Sequence, residues 1–239
     1  MTSWDLSETH SLVRKIFGVA QEQLTSQSTR SVNDRKSFAY YHFAEAMRSS
    51  RDFDRKHLSD VKTLLRLNVQ GSEKKRRAFE NYMIKAGAHS LAAVQSIHAL
   101  PDILAHATYF ATGQNLKSHA LADRDIALPG VSGTLKRDHR FSALSAPLSE
   151  LQSGSGWRHL AAVCNMSKHQ SVVRSTLSED WTGTRLNHRE LHISSFMRHG
   201  VHYAGISMKD LLEPEYDRVS NAIVTIGNEL NACLRKLAP

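Results

Sequence analysis

Pro214-Glu215-Tyr216-Asp217-Arg218-Val219-Ser220-Asn221-Ala222-Ile223-Val224-Thr225-Ile226-Gly227-Asn228-Glu229-Leu230-Asn231-Ala232-Cys233-Leu234 is the stretch that decides the class of fold. Tyr216, Val219, Ile223, Ile226, Leu230 and Leu234 recur in it at three- and four-residue steps, which lays them along one face of a helix. So long an unbroken apolar stripe belongs to a helix packed on a core, not to a strand. Pro214 suits a first helical turn, where its missing N–H has no intrahelical partner to lose, and reads as the helix start.

Working outward, the same period recurs through most of the chain. Leu12, Val13, Ile16, Phe17, Ala20 and Leu24 predict a first helix, and Phe38, Tyr41, Ala44 and Met47 a second. Leu58, Val61, Leu64, Leu65 and Asn68 outline a third, ended by Gly71. Ser72 then caps a long helix carrying Phe79, Met83, Ala86, Leu91 and Val94. Pro101 is read as interrupting it after Leu100 and opening another helix that stops at Gly113. From 113 to about 140 the period fades around Gly130 and Gly133, which predicts a long loop. Ser142 to Gln152 reads as a short helix. After Gly154-Ser155-Gly156 another helix runs from Trp157 to about Arg174. Between 190 and 208, Leu191, Ile193, Phe196, Val201, Tyr203 and Ile206 alternate loosely about Arg198-His199-Gly200, which predicts a β-hairpin. The expected fold is mainly α: a helical bundle of one domain over 1–239, with one small β-hairpin before the C-terminal helix.

Composition agrees with a globular chain: 41% of the 239 residues are hydrophobic and 23% charged, enough to bury a core. No apolar run is long enough to span a bilayer, and Met1-Thr2-Ser3-Trp4-Asp5 lacks the basic start of a secretory signal, so the expectation is a cytoplasmic protein with no membrane partner. Cys164 and Cys233 are far apart and sit among apolar neighbours, as small buried thiols do. The net charge of +8 is uneven: residues through His89 hold 16 Lys/Arg against 10 Asp/Glu, and most of that excess falls between Arg48 and Arg77. A concentration of this kind suits an anionic partner, nucleic acid first; a solvated basic face is the plainer alternative.

The segment richest in chemistry is Trp157-Arg158-His159-Leu160-Ala161-Ala162-Val163-Cys164-Asn165-Met166-Ser167-Lys168-His169. On a helix Asn165 and His169 are one turn apart, Arg158 lies two turns before Asn165, and Lys168 flanks them. Leu160, Val163 and Cys164 face the other way, toward a core. An imidazole can exchange a proton near neutral pH, an amide can hold a ring or a phosphate oxygen, and cations can stabilise a charged transition state. The alternative is that Asn165 and His169 only hydrogen-bond neighbouring elements.

Trp157 to Arg174, centred on Asn165-Met166-Ser167-Lys168-His169, resembles the later helix of HEPN-type proteins (higher eukaryotes and prokaryotes nucleotide-binding). That resemblance implies an all-helical fold, and either a metal-independent ribonuclease, often dimeric and found in toxin–antitoxin and antiviral systems, or an inactive interaction module. The group's ribonuclease motif is an arginine, then a polar residue, then a histidine after a short interval. By that resemblance Asn165 takes the polar position and His169 the histidine, while Cys164 stands where the motif has arginine. Arg158 and Lys168 are the cations left to bind phosphate.

Other Arg/His pairs have the motif's interval, among them Arg51 with His57 and Arg185 with His192; about three such matches arise by chance in a chain with this many arginines and histidines. Arg51 and His57 fall in the basic segment. That segment ends in Lys74, Lys75, Arg76 and Arg77, in the first turns of a helix, where the dipole disfavours positive charge. They are candidate nucleic-acid contacts, though aromatics do not interleave with them in sequence as on a single-strand stacking platform. His188, His192, His199 and His202 lack a metal-site signature, and no phosphate-loop, dinucleotide or hydrolase motif occurs, so no metal or cofactor is expected. Two functions follow: an RNA-directed protein with His169 as acid/base, or a non-catalytic module for homodimerisation or for an antitoxin-like protein partner.

Overall fold

The computed structural model describes residues 3–58, 64, 71–185 and 188–238. The protein is mainly α. The helices are α1 (Leu6–Phe17), α2 (Val19–Phe53), α3 (Glu73–Ala111), α4 (Leu128–Arg137), α5 (Ser145–Glu150), α6 (Ser155–His169) and α7 (Met208–Arg235). A wider π-type turn, Asp54–Leu58, continues α2. Among the described residues no helix is long and apolar enough to cross a membrane. Val61, Leu65 and Asn68 of the predicted third helix lie outside the described residues.

Several boundaries differ from the sequence reading, each for a physical reason. Gly18, at φ 91°, splits the first predicted helix, because only glycine takes that conformation without strain. The two predicted segments beyond it merge into the single helix α2. Pro101 lies inside α3 and does not end it. Proline removes one backbone hydrogen bond, but Ile97, Leu100 and Leu104 around it are all buried, and that burial holds the helix together. Pro214 likewise falls inside α7, since buried Met208, Leu211 and Leu212 carry the apolar stripe upstream of it. The predicted loop over 113–140 contains α4, which buries Leu128, Val131 and Leu135. Gly130, read as a breaker, is there for close approach: a Cβ would strike the Asp125 carbonyl.

α6 stops at His169, short of Arg174, and a strand not foreseen follows: β1 (Ser175–Glu179) pairs antiparallel with β2 (Arg189–Ile193). β2 also pairs with the short β5 (Ile206–Ser207), giving the order β1-β2-β5. The predicted hairpin is β3 (Phe196–Arg198) with β4 (Val201–Tyr203). His199 and Gly200, at φ 50° and 75°, turn it, the pair of positive angles a tight hairpin needs. Its Phe196 and Tyr203 rings stack 4.9 Å apart and lie edge-on to His159 of α6.

The chain divides into two compact units. One comprises Met1–Ser37, Ile97–Trp157 and Tyr216–Pro239; the other comprises Phe38–Ser96 and Arg158–Glu215. Each is discontinuous in sequence, so no linker announces a boundary. In the first unit, Thr9 Oγ1 donates to Asn231 Oδ1 at 2.6 Å and Glu8 pairs with Arg235, which fastens α1 to α7. Its core is built on Leu104, Tyr109, Leu135, Phe141 and Leu148. Beside that core, buried Asp138 accepts from Arg140 (3.0 and 2.9 Å), Lys117 (2.6 Å) and Gln114 (3.0 Å).

Those donors, Arg140 foremost, hold the Asp138 carboxyl far below the usual carboxylate range although burial opposes them. A depressed folded pKa stabilises above the unfolded value, about 3.9, and that stabilisation is lost as pH falls through the folded value. Asp138→Asn is therefore expected to cost on the order of 2 kcal/mol at pH 7. In denaturant titrations the gap to the parent protein should narrow below about pH 4.

Candidate nucleic-acid interface

The second unit sets the C-terminal part of α2 beside the N-terminal part of α3. Glu45, Arg48, Asp52 and Lys56 follow one another at helical steps along one side of a groove, and Ala78, Tyr82, Lys85 and His89 do so along the other. The groove encloses about 530 Å³. Its floor is apolar: Phe53 and Tyr82 are buried and stacked at 4.5 Å, with His57 tilted against Phe53 at 4.9 Å. The Tyr82 hydroxyl donates to Ser50 Oγ at 3.1 Å. Aromatic side chains thus lie next to the basic segment in space, although not in sequence. Phe53 and Tyr82 form a buried floor and offer no exposed face for base stacking.

The charge on the rim is lopsided. Arg48 satisfies Glu45 (3.0 and 2.6 Å) and also reaches Asp52 (3.2 Å), which Arg55 approaches from the other side (3.0 Å). Both acids of the groove are thereby engaged by arginine. Among the described residues Lys56, Lys74, Lys75 and Lys85 have no carboxylate partner, and all four are exposed. The His57 pKa is lowered by burial first and then by the positive charges of Lys56, Lys75 and Lys74. At the other end, His42 and His89 face each other through Nδ1 atoms 2.9 Å apart, so one ring donates and the other accepts. Burial, and then His89, lowers the His42 pKa.

The sequence-predicted residues fall in two places. Lys74, Lys75, Arg76 and Arg77 are exposed in the first turn of α3, as expected. Only the lysines are free there: Arg76 donates to the Gly71 carbonyl at 2.9 Å, and Arg77 pairs with Glu73. Ser72 Oγ lies 3.4 Å from Lys75 N, a long capping contact. On α6, Leu160, Val163 and Cys164 are buried as expected, with burial raising the Cys164 pKa. Arg158, Lys168 and His169 are exposed and Asn165 is half-buried. They share one helix, but among the described residues no hydrogen bond or ion pair joins any two of the four. Arg51 and His57, spaced like the ribonuclease motif, point apart: Arg51 lines a different hollow from the groove that holds His57. Among the described residues no three His, Cys, Asp or Glu side chains converge as metal ligands.

Spacing flagged His57 only as one match among several, and the pairing of His42 with His89 carried no signal at all. Both depend on which α2 residue meets which α3 residue, a register that periodicity does not supply. No family model, curated protein or solved structure matches this chain.

The hollow that Arg51 lines, about 670 Å³, is walled by a buried ion network that positions the end of α2. Arg189 donates through Nε to Glu179 Oε1 (2.9 Å) and through Nη1 to Asp54 Oδ1 (2.8 Å). Glu179 also accepts the Leu64 N–H on both oxygens (3.1 and 2.9 Å). With side-chain exposures of 9% and 4%, Arg189 and Glu179 are out of water, and deleting Arg189 leaves the buried Glu179 carboxylate without its guanidinium. Arg189→Ala is expected to lose about 3–5 kcal/mol in urea unfolding. The double variant Arg189→Met/Glu179→Gln should recover a large part of it.

Proposed function

We propose that this is an RNA-associated cytoplasmic protein that holds the nucleic-acid backbone in the α2–α3 groove. The observation that carries the reading is a set of lysines without carboxylate partners among the described residues, Lys56 and Lys85 lining a groove whose own acids are engaged by arginine and Lys74 and Lys75 in the first turn of α3. Phosphates there would gain charge-assisted contacts and displace counterions. The choice of RNA rests on the resemblance of Trp157 to Arg174 to the HEPN group. Under that resemblance the protein is a metal-independent endoribonuclease, with His169 exchanging protons at the ribose 2′-hydroxyl or the leaving oxygen, Asn165 orienting, and Arg158 and Lys168 holding phosphate.

A second reading is a non-catalytic module that dimerises or binds an antitoxin-like partner. Two observations favour it: Cys164 in place of the motif's arginine, and, among the described residues, no hydrogen bond or ion pair joining any two of Arg158, Asn165, Lys168 and His169.

The two readings part in solution. If four lysines meet phosphate, affinity for single-stranded RNA should fall with a log–log salt slope of roughly −3. Lys74→Glu/Lys75→Glu should weaken binding at least tenfold and flatten that slope, with an unchanged melting temperature because both positions are exposed. Cleavage of mixed RNA in excess EDTA that disappears in His169→Ala supports catalysis. Loss only in His57→Ala moves the acid/base into the groove, and cleavage by neither parent nor variants favours the module.

A further inference from the structure

Across α3 from the basic groove lies a second groove, and this one is apolar. Tyr82, Lys85 and His89 face the basic groove, whereas Phe79, Met83, Gly87 and Leu91, each one turn after the last, line the other. Its far wall is β1 with the residues leading into it: all six positions from 172 to 177 line it. Successive side chains of a strand point to opposite faces, so a hollow lined by every one of them runs along the strand's edge. The groove holds about 670 Å³, and Arg174 is the one charged residue along it. Ile84 and Val172, one on each wall, are 70% and 61% exposed, large apolar side chains left in water.

The edge of β1 that borders this groove is unpaired. The sheet order β1-β2-β5 leaves β1 outermost. Ser194 N–H donates to the Arg174 carbonyl at 2.9 Å and Asp180 N–H to the His188 carbonyl at 2.8 Å, which fixes the phase of the ladder: positions 174, 176, 178 and 180 turn their backbone groups to β2. Ser175 and Leu177 therefore turn theirs away from it, toward an edge that no strand covers among the described residues. The open stretch stops at Glu179, whose carboxylate takes the Leu64 N–H. Protein edges of this kind are commonly blunted by lysine, proline or a bulge, and Ser175-Thr176-Leu177 has none of the three. The two walls also match in length. Phe79 to Leu91 spans about 18 Å of helix and 172 to 177 about 17 Å of extended chain, room for a strand of about five residues.

We infer that this groove binds an extended peptide segment of a partner protein, added as a fourth strand beside β1 and carrying an acidic residue for Arg174. The N–H and C=O groups of Ser175 and Leu177 call for the alternating donors and acceptors of another strand, a spacing that nucleic acid does not repeat. Every second side chain of the added strand falls against Phe79, Met83 and Ile84 and must be apolar. Charge complementarity sets the rest. Arg174 is exposed and forms no ion pair among the described residues, and no carboxylate lines the groove, so an aspartate or glutamate of the segment meets a cation not yet neutralised. The inference is independent of RNA binding in the α2–α3 groove, which uses the opposite side of α3.

Selection of a phage-displayed pool of random peptides on the full chain, followed by calorimetry of the recovered peptides, tests it. Peptides with apolar residues at alternate positions beside an aspartate or glutamate are expected, binding one to a chain. Their affinity should fall at least tenfold in Ile84→Lys and in Arg174→Glu, both at exposed positions, and stay unchanged in Lys74→Glu/Lys75→Glu. N-methylation of the peptide backbone, residue by residue, reads the strand pairing itself: binding should be lost at every second position and kept at those between. An empty selection, peptides without that alternation, indifference to N-methylation throughout, or binding that survives both groove substitutions would each overturn the inference. So would a parent chain that sediments as a dimer and becomes a monomer in Ile84→Lys, because the groove would then belong to a second copy.

Discussion

Arg189 and Glu179 need one another. Each is nearly out of water, each would be costly to bury alone, and between them they join β2 to β1 and, through Asp54, both strands to the end of α2. Such a pair adds little net stability over an apolar pair of the same shape. Its contribution is to register, because the guanidinium fork meets its carboxylates in one arrangement only. In the second unit that register matters twice. It sets where α2 runs out into the π-type turn carrying Lys56 and His57, and it aligns β1 with β2 so that the backbone groups of Ser175 and Leu177 turn to the free edge.

The basic groove follows from ordinary helix rules applied on either side of that anchor. Acid–arginine pairs at three- and four-residue spacing engage Glu45 and Asp52 along α2. Among the described residues these lysines form no ion pair, so the positive field belongs to them, and the stacked Phe53 and Tyr82 make the floor beneath apolar. Burial and then the positive charges of Lys56, Lys75 and Lys74 lower the His57 pKa. The α6 stripe is different in kind: Arg158, Lys168 and His169 are exposed and Asn165 half-buried, and Lys168 and His169 stand at the C-terminal end of a helix whose dipole favours them.

What could be read from the sequence was whatever depends on a face or a turn. The Tyr216–Leu234 stripe, the apolar side of α6 at Leu160 and Cys164, and the His199-Gly200 turn are local patterns, and each stands where it was expected. Local rules also misled. They place helix starts at Pro101 and Pro214, because propensity counts the lost hydrogen bond and not the burial on either side. By the same rules Gly130 reads as a breaker, whereas it marks a close approach of backbone. β1 was missed because Ser175–Glu179, polar on one face and mixed on the other, has little apolar alternation without β2 beside it. Of the candidate site residues, Lys74 and Lys75 were legible as a cluster, whereas Lys85, His57 and the His42–His89 contact exist only once α2 and α3 are paired.

Photo-crosslinking of single-stranded RNA to the full chain, with adducts mapped by mass spectrometry, addresses the central claim most directly. The account predicts adducts concentrated on the groove, at 48–57 and 74–89, that fade as salt is raised. Adducts confined to α6, or scattered without salt dependence, would contradict it.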